Sequence, residues 1–173
     1  IVFRNINFSG RFVGDVDPQY GRVSACVLLN SSWATFYDCS FTYGINAGFS
    51  SLYGQYNEFY SCTFGANVSG ADTAGCLLNS NTDAEAANEN TFVRCKFNTN
   101  KNGLVIKGDF GNRIIGCQFQ NTVAGGLGAL VLVADSTGFG TDTNLISGNY
   151  FEINSRDVYI GSSPRQTFEG NVF

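Results

Sequence analysis

The groups in this chain best suited to chemistry are carboxylates set among aromatic residues. Asp109 and Asp135 each stand five residues beyond a leucine, Leu104 and Leu130, that begins a short apolar run. If those runs lie side by side, the two aspartates are neighbours. Such a pair suits glycoside hydrolysis, which needs one carboxyl protonated as acid and another as base or nucleophile; like-charge repulsion separates their pKa values. The stretches "NSNTDAEAANEN" at 79–90 and "ADSTGFGTDTN" at 134–144 bring Asp83, Glu85, Glu89 and Asp142 towards the same edge, with Phe110 and Phe139 beside them. Trp33, Tyr53 and Tyr56 supply aromatic surface from earlier in the chain. Aromatic faces stack on sugar rings while acidic oxygens accept from hydroxyls. The expected catalytic residues are therefore Asp109 and Asp135, and the expected substrate-binding residues are Trp33, Tyr53, Asp83, Glu85, Phe110, Phe139 and Asp142. A lyase would need a base and a cation to steady an enolate, and Lys107 and Arg113 flank Asp109 for that purpose. The plainer account of both aspartates is that they are turn residues. Histidine is absent, which excludes Ser/His/Asp chemistry.

What would position these groups is a repeat. "IVFRNINF" at 1, "ATFYDCSF" at 34, "NEFYSCTF" at 57, "NTFVRCKF" at 90, "NRIIGCQF" at 112, "NLISGNYF" at 144 and "QTFEGNVF" at 166 are seven copies of one eight-residue pattern. Position eight is Phe in each, and position three is Phe3, Phe36, Phe59, Phe92, Ile114, Ile146 and Phe168. Position six is Ile6, Cys39, Cys62, Cys95, Cys117, Asn149 and Asn171; position five is mostly a turn former. Positions three and six have opposite parity in an extended chain, so a bend near position five is needed for three, six and eight all to face inward. The copies start 33, 23, 33, 22, 32 and 22 residues apart. A second short apolar run follows each Phe, as in "ACVLL" at 25, "GCLLN" at 75, "GLVI" at 103, "ALVLV" at 129 and "DVYI" at 157. These runs are too short and too rich in β-branched residues for helices. Short strands recurring at this period predict an all-β solenoid, a parallel β-helix of about six to seven coils forming one domain over residues 1–173.

Stacking turns each position into a column, with asparagines at position one (Asn57, Asn90, Asn112, Asn144) bonding up and down the stack. The cysteine column answers to the same geometry. In-register parallel neighbours hold their Cβ atoms about 4.8 Å apart, whereas a disulfide needs about 3.8 Å, so the stacked thiols are expected to be free and buried. Six cysteines without a disulfide point to folding in a reducing cytosol. With no CxxC pair and no histidine, neither a zinc site nor a Cys/His dyad is expected. No other cofactor is implied.

A net charge of −4 with 14% charged residues and no basic run argues against a nucleic-acid partner. The longest apolar stretch, near "LGALVLVA" at 127–134, is too short to insert across a membrane. "GDVDPQYG" at 14–21 spaces Asp15 and Asp17 like calcium ligands but lacks the rest of an EF-hand loop, so it reads as a turn. The chain starts and stops inside repeat motifs, which suggests a fragment of a longer protein.

The phrases "NTFVRCKF", "NRIIGCQF", "LISGNYFE" and "FEGNVF" resemble coils of the right-handed parallel β-helix of bacteriophage tailspikes and the related pectate-lyase-like polysaccharide enzymes. The resemblance spans the chain and is carried by structural motifs. It implies a homotrimeric viral tail protein, assembled in the bacterial cytoplasm and carried on the virion. Such a spike binds a host capsule or O-antigen polysaccharide for attachment, and a depolymerase of this kind also degrades it. A non-catalytic attachment shaft and a polysaccharide lyase of the same fold are the alternatives.

Overall fold

The computed structural model describes residues 1–9, 25–29, 32–68, 73–79, 87–134, 138, 140–161 and 165–173. The chain winds as a parallel β-helix whose coils contribute one strand to each of three parallel sheets. The first sheet has seven strands: Val2–Arg4, Thr35–Tyr37, Glu58–Tyr60, Thr91–Val93, Arg113–Ile115, Leu145–Ser147 and Thr167–Glu169. The second has six, from Asn7–Ser9 to Tyr150–Glu152, and the third has six, from Ala25–Leu28 to Val158–Ile160. Among the described residues no helix is long and apolar enough to cross a membrane.

Registers follow the repeat. Phe36 pairs with Phe59, Phe59 with Phe92, and Phe92 with Ile114; in the second sheet Phe64 pairs with Phe97 and Phe97 with Phe119. In the third sheet Leu104 pairs with Leu130, the alignment expected from sequence. Phenylalanine rings pile through the interior as near-parallel plates, 4.8 Å apart between Phe64 and Phe97 and 4.7 Å between Phe97 and Phe119. The two Phe columns meet edge to face, as at Phe36 and Phe41, where the rings are inclined at 74°. Such pairs add about 0.5–1.5 kcal/mol each beyond the area they bury.

The bend at position five is a left-handed residue in all seven copies: Asn5, Asp38, Ser61, Arg94, Gly116, Gly148 and Gly170 have φ between 52° and 63°. One residue in that conformation reverses the strand's parity, so position six turns inward beside positions three and eight. The N–H at the bend remains in the ladder, as where Arg94 donates to the Ile115 carbonyl at 3.0 Å.

Position six has a definite task. Cys62, Cys95 and Cys117 each point Sγ at the position-three carbonyl of the coil below, those of Phe36, Phe59 and Phe92, at 3.5, 3.3 and 3.6 Å. Asn149 and Asn171 bond the next two such carbonyls, Ile114 and Ile146, through Nδ2 at 2.9 Å. Cysteine and asparagine are thus two small donors serving one interior carbonyl. Cys39, Cys62, Cys76, Cys95 and Cys117 are free and buried, and burial pushes the thiols of Cys76 and Cys95 well above their ordinary pKa.

The position-one asparagines form a continuous ladder: Asn57 N–H donates to Asn90 Oδ1, Asn90 to Asn112 and Asn112 to Asn144, at 2.8–3.0 Å. A second ladder joins Gly44, Asn67 and Asn100, with Asn67 N–H and Nδ2 both donating to Asn100 Oδ1. Space for it comes from glycine in the adjoining strand: a Cβ on Gly75 would lie 2.8 Å from Asn100 Nδ2 and 2.7 Å from the Gly103 carbonyl.

Candidate functional site

Five of the coils meet a further left-handed corner just before position one. Its residues are Trp33, Tyr56, Glu89, Gly111 and Thr143, with φ between 50° and 70°. Left-handed backbone is costly for bulky side chains, by about 1–2 kcal/mol per residue, so the same corner could be made more easily with glycine or asparagine. Instead it carries a tryptophan, a tyrosine and a glutamate facing outward. Trp33 is 68% exposed. Its ring lies on that of Tyr56 with centroids 4.3 Å apart and planes inclined by only 9°.

Position two, on the outer face of the first sheet, places a second column beside this corner: Thr35, Glu58, Thr91, Arg113 and Leu145, in register from coil to coil. Together the two columns line a groove of about 690 Å³ that runs along the axis across five coils. That volume lies in the range of small-molecule and cofactor sites. The groove is mixed in character, with the aromatic pile at one end, Glu58 and Glu89 beside it, Arg113 beyond them, and threonine hydroxyls throughout. Thr35 Oγ1 lies 3.5 Å from Glu58 Oε2. Glu89 folds over the bare corner at Gly111, where an added Cβ would meet Glu89 Cγ at 3.1 Å.

Alongside the groove, position four forms a third outward column in which Arg4 sits 4.2 Å over the Tyr37 ring and Tyr37 stacks on Tyr60 at 5.0 Å. Burial, and after it the charge of Glu58, raises the Tyr60 phenol above its ordinary pKa.

The expected site residues divide. Trp33 lines the groove, and so do Tyr56, Glu89 and Arg113. Asp109 does not stand on an exposed edge: it is wholly buried, and its Oδ1 accepts from the Ala87 N–H at 2.8 Å. The physical reason is Gly108, whose φ of 68° reverses the parity counted outward from Leu104 and turns the carboxylate into the stack. There Asp109 serves the preceding coil's backbone as the ladder asparagines do. Lys107, at the end of its strand in the third sheet, and Arg113, on the outer face of the first, do not converge on it. Phe110 is half-buried, and its backbone pairs with that of Asp142. Asp142 is held by Arg165: Nε donates to Oδ2 at 2.9 Å, Nη2 bonds the same oxygen, and the Arg165 N–H donates to Oδ1. The Arg165 hydrogen bond is the main cause that lowers the Asp142 pKa. Tyr53 is half-buried at a left-handed corner of its own, φ 74°. Asp83, Glu85, Asp135 and Phe139 lie outside the described residues, as do Asp15 and Asp17.

Glu58 is the groove carboxylate that sequence reasoning missed, together with the Thr35 and Thr91 hydroxyls on either side of it. Its signal was available at positions zero and two of the repeat, the two outward columns on which the groove is built. Among the described residues no three His, Cys, Asp or Glu side chains gather as a metal-binding group. No family model matches the chain, and no curated protein is found to be similar to it. The groove itself must therefore carry the functional argument.

Proposed function

We propose that the groove binds a bacterial surface polysaccharide, a capsule or O-antigen chain, and that Glu58 and Glu89 hydrolyse it. In this reading the β-helix is the body of a tailspike-type depolymerase of a phage virion, a homotrimer assembled in the host cytoplasm. One observation carries the proposal: an elongated groove that joins a stacked Trp33–Tyr56 pair to two glutamates one coil apart. Aromatic plates suit sugar rings, and a linear groove suits a polymer better than a compact metabolite. Buried free thiols accord with cytoplasmic assembly.

In the proposed reaction one of the two glutamates is the general acid and gives its proton to the glycosidic oxygen as that bond to the anomeric carbon breaks. The other is the carboxylate base and takes a proton from the water whose oxygen bonds the same carbon. The products are two shorter saccharides, one with a new reducing end.

The test is reducing-end release from a panel of capsule and O-antigen polysaccharides. Glu58→Gln and Glu89→Gln should each lower turnover by about 10²–10⁴-fold, the usual contribution of a positioned acid or base, while polymer binding persists. Products absorbing in the ultraviolet would reveal an unsaturated sugar and hence a lyase. Binding without release by the unaltered protein would make the β-helix a non-catalytic attachment shaft.

A further inference from the structure

We infer that the polysaccharide this groove takes is anionic, and that Arg113 receives its acidic group. The inference rests on the reading of the groove as a glycan site and adds the substrate's charge. Arg113 lies two coils above Glu58 in the position-two column, with Thr91 between them, and its side chain is exposed to the groove. Two coils amount to about 10 Å along the axis.

Although two glutamates face the same groove, Arg113 makes an ion pair with neither. The ion pair among the described residues is between Arg165 and Asp142, a site where a carboxylate does capture its guanidinium. Arg113 also has no side-chain hydrogen bond within the described chain, so its planar set of N–H donors is open to the groove. A guanidinium is always charged and matches a carboxylate or sulfate with paired, parallel hydrogen bonds. In a chain of net charge −4 an unused cation beyond two carboxylates is poorly placed to attract a neutral polymer. It is well placed to select an acidic one.

The arrangement also sets a direction along the groove. An acidic substituent at Arg113 stands about 10 Å from Glu58, where 0.1 M salt weakens the repulsion, and one coil, about 5 Å along the axis, from Glu89, whose repulsion direct contact with the guanidinium must outweigh. Contact with the guanidinium is screened far less. An acidic substituent placed at the Trp33–Tyr56 end would instead lie beside Glu58. The polymer is thereby held in one polarity and one register, with its acidic unit at Arg113 and another unit on the rings.

The test compares each polysaccharide of the panel in native form with the same polymer after its carboxylates have been reduced to alcohols, or its sulfates removed. Both forms are bound to the unaltered protein, to Arg113→Gln and to Trp33→Ala. The best-bound polymer should be acidic, and neutralisation should weaken it by about tenfold or more, the worth of a charge-assisted hydrogen bond. Arg113→Gln should bind the native and neutralised forms equally, and Trp33→Ala should weaken both. Preference of the unaltered protein for a neutral polymer, or undiminished discrimination in Arg113→Gln, overturns the inference while the glycan reading stands. If no polymer binds, or if Trp33→Ala has no effect on either form, the glycan reading itself is overturned.

Discussion

Phe59, Cys62 and Phe64 stand in columns whose neighbours above and below are mostly of the same type, whereas Tyr56 and Glu58, from the same stretch of chain, stand in columns where most neighbours differ. Both sets obey the same coil geometry, so the difference lies in what each must satisfy. An interior residue is judged by the residue stacked on it: a ring wants a parallel ring about 4.8 Å away, and an amide wants the next amide. Uniformity is the easiest solution. An outward column on a parallel sheet has its backbone bonds already made and needs no such match. The run Trp33, Tyr56, Glu89, Gly111, Thr143 is therefore not dictated by stacking, and its left-handed backbone carries side chains that the corner disfavours. Tyr43, Tyr53, Arg94 and Ile153 adopt the same backbone outside the groove, so what marks this column is its exposed, unlike side chains along one cleft, and there a function is to be sought.

The largest effect that sharpens this contrast should come from the interior. Phe97 is almost fully buried between Phe64 and Phe119, and Phe97→Ala should lower unfolding stability by about 3–5 kcal/mol through the cavity it leaves. Equilibrium denaturation measures it, and affinity for polysaccharide should hold wherever the protein remains folded. A near-neutral result would mean that stacked columns are not what holds the coils together.

The opposite profile is expected on the groove wall. Trp33→Ala should weaken polysaccharide binding by about 1–3 kcal/mol, the worth of a large apolar side chain losing its contact, and change stability by about 0.5 kcal/mol or less, as for surface positions generally. Calorimetric titration beside a melting curve separates the two. A large loss of stability without loss of affinity would make the Trp33–Tyr56 pile a structural brace and place the groove outside the function.

A smaller effect tests the equivalence of cysteine and asparagine at position six. Cys117→Ala should cost about 1 kcal/mol, losing sulfur contacts and a donor to Phe92. Cys117→Asn should cost less, because asparagine has nearly the same volume and Asn149 already bonds the equivalent carbonyl one coil above. In the folded protein Cys39, Cys62, Cys95 and Cys117 should resist thiol reagents and react only on unfolding. Rapid labelling would contradict the buried column.

The interior was legible from sequence because periodic stacking makes one residue type recur. The Phe columns, the Asn57-to-Asn144 ladder, the bend at position five and the pairing of Leu104 with Leu130 all follow from aligned copies. The Asn67–Asn100 ladder escaped only because it lies beyond the eight aligned residues; Gly44, Asn67 and Asn100 keep the repeat's register, each ten residues after position one. The site was only half legible. Trp33 and Glu89 stand out by type, but Glu58 stands between Thr35 and Thr91 in an outward column whose residues change from coil to coil. Asp109 misled because a five-residue count says nothing of the glycine that turns the chain at 108. Residue type and alignment locate a column; only the backbone's corners decide which side of the wall it faces.

Asp142 offers the finest test of that distinction, since by type and position it looks like a groove carboxylate yet is bound to Arg165. The pairing lowers its pKa below the usual 3.8. With the folded value depressed, the stabilisation is fully present above the unfolded pKa and is lost as pH falls through the folded one. Asp142→Asn should therefore melt slightly below the unaltered protein at neutral pH and converge with it in strong acid. Because Arg165 is 77% exposed, the gap should be small and should shrink with added salt. Polysaccharide affinity should be unchanged, since the carboxylate already has its cation and the groove's open guanidinium is Arg113. If Asp142→Asn loses affinity while its melting curve stays put, this carboxylate serves the ligand instead, and the boundary between structural and functional columns moves one corner outward from where the groove now draws it.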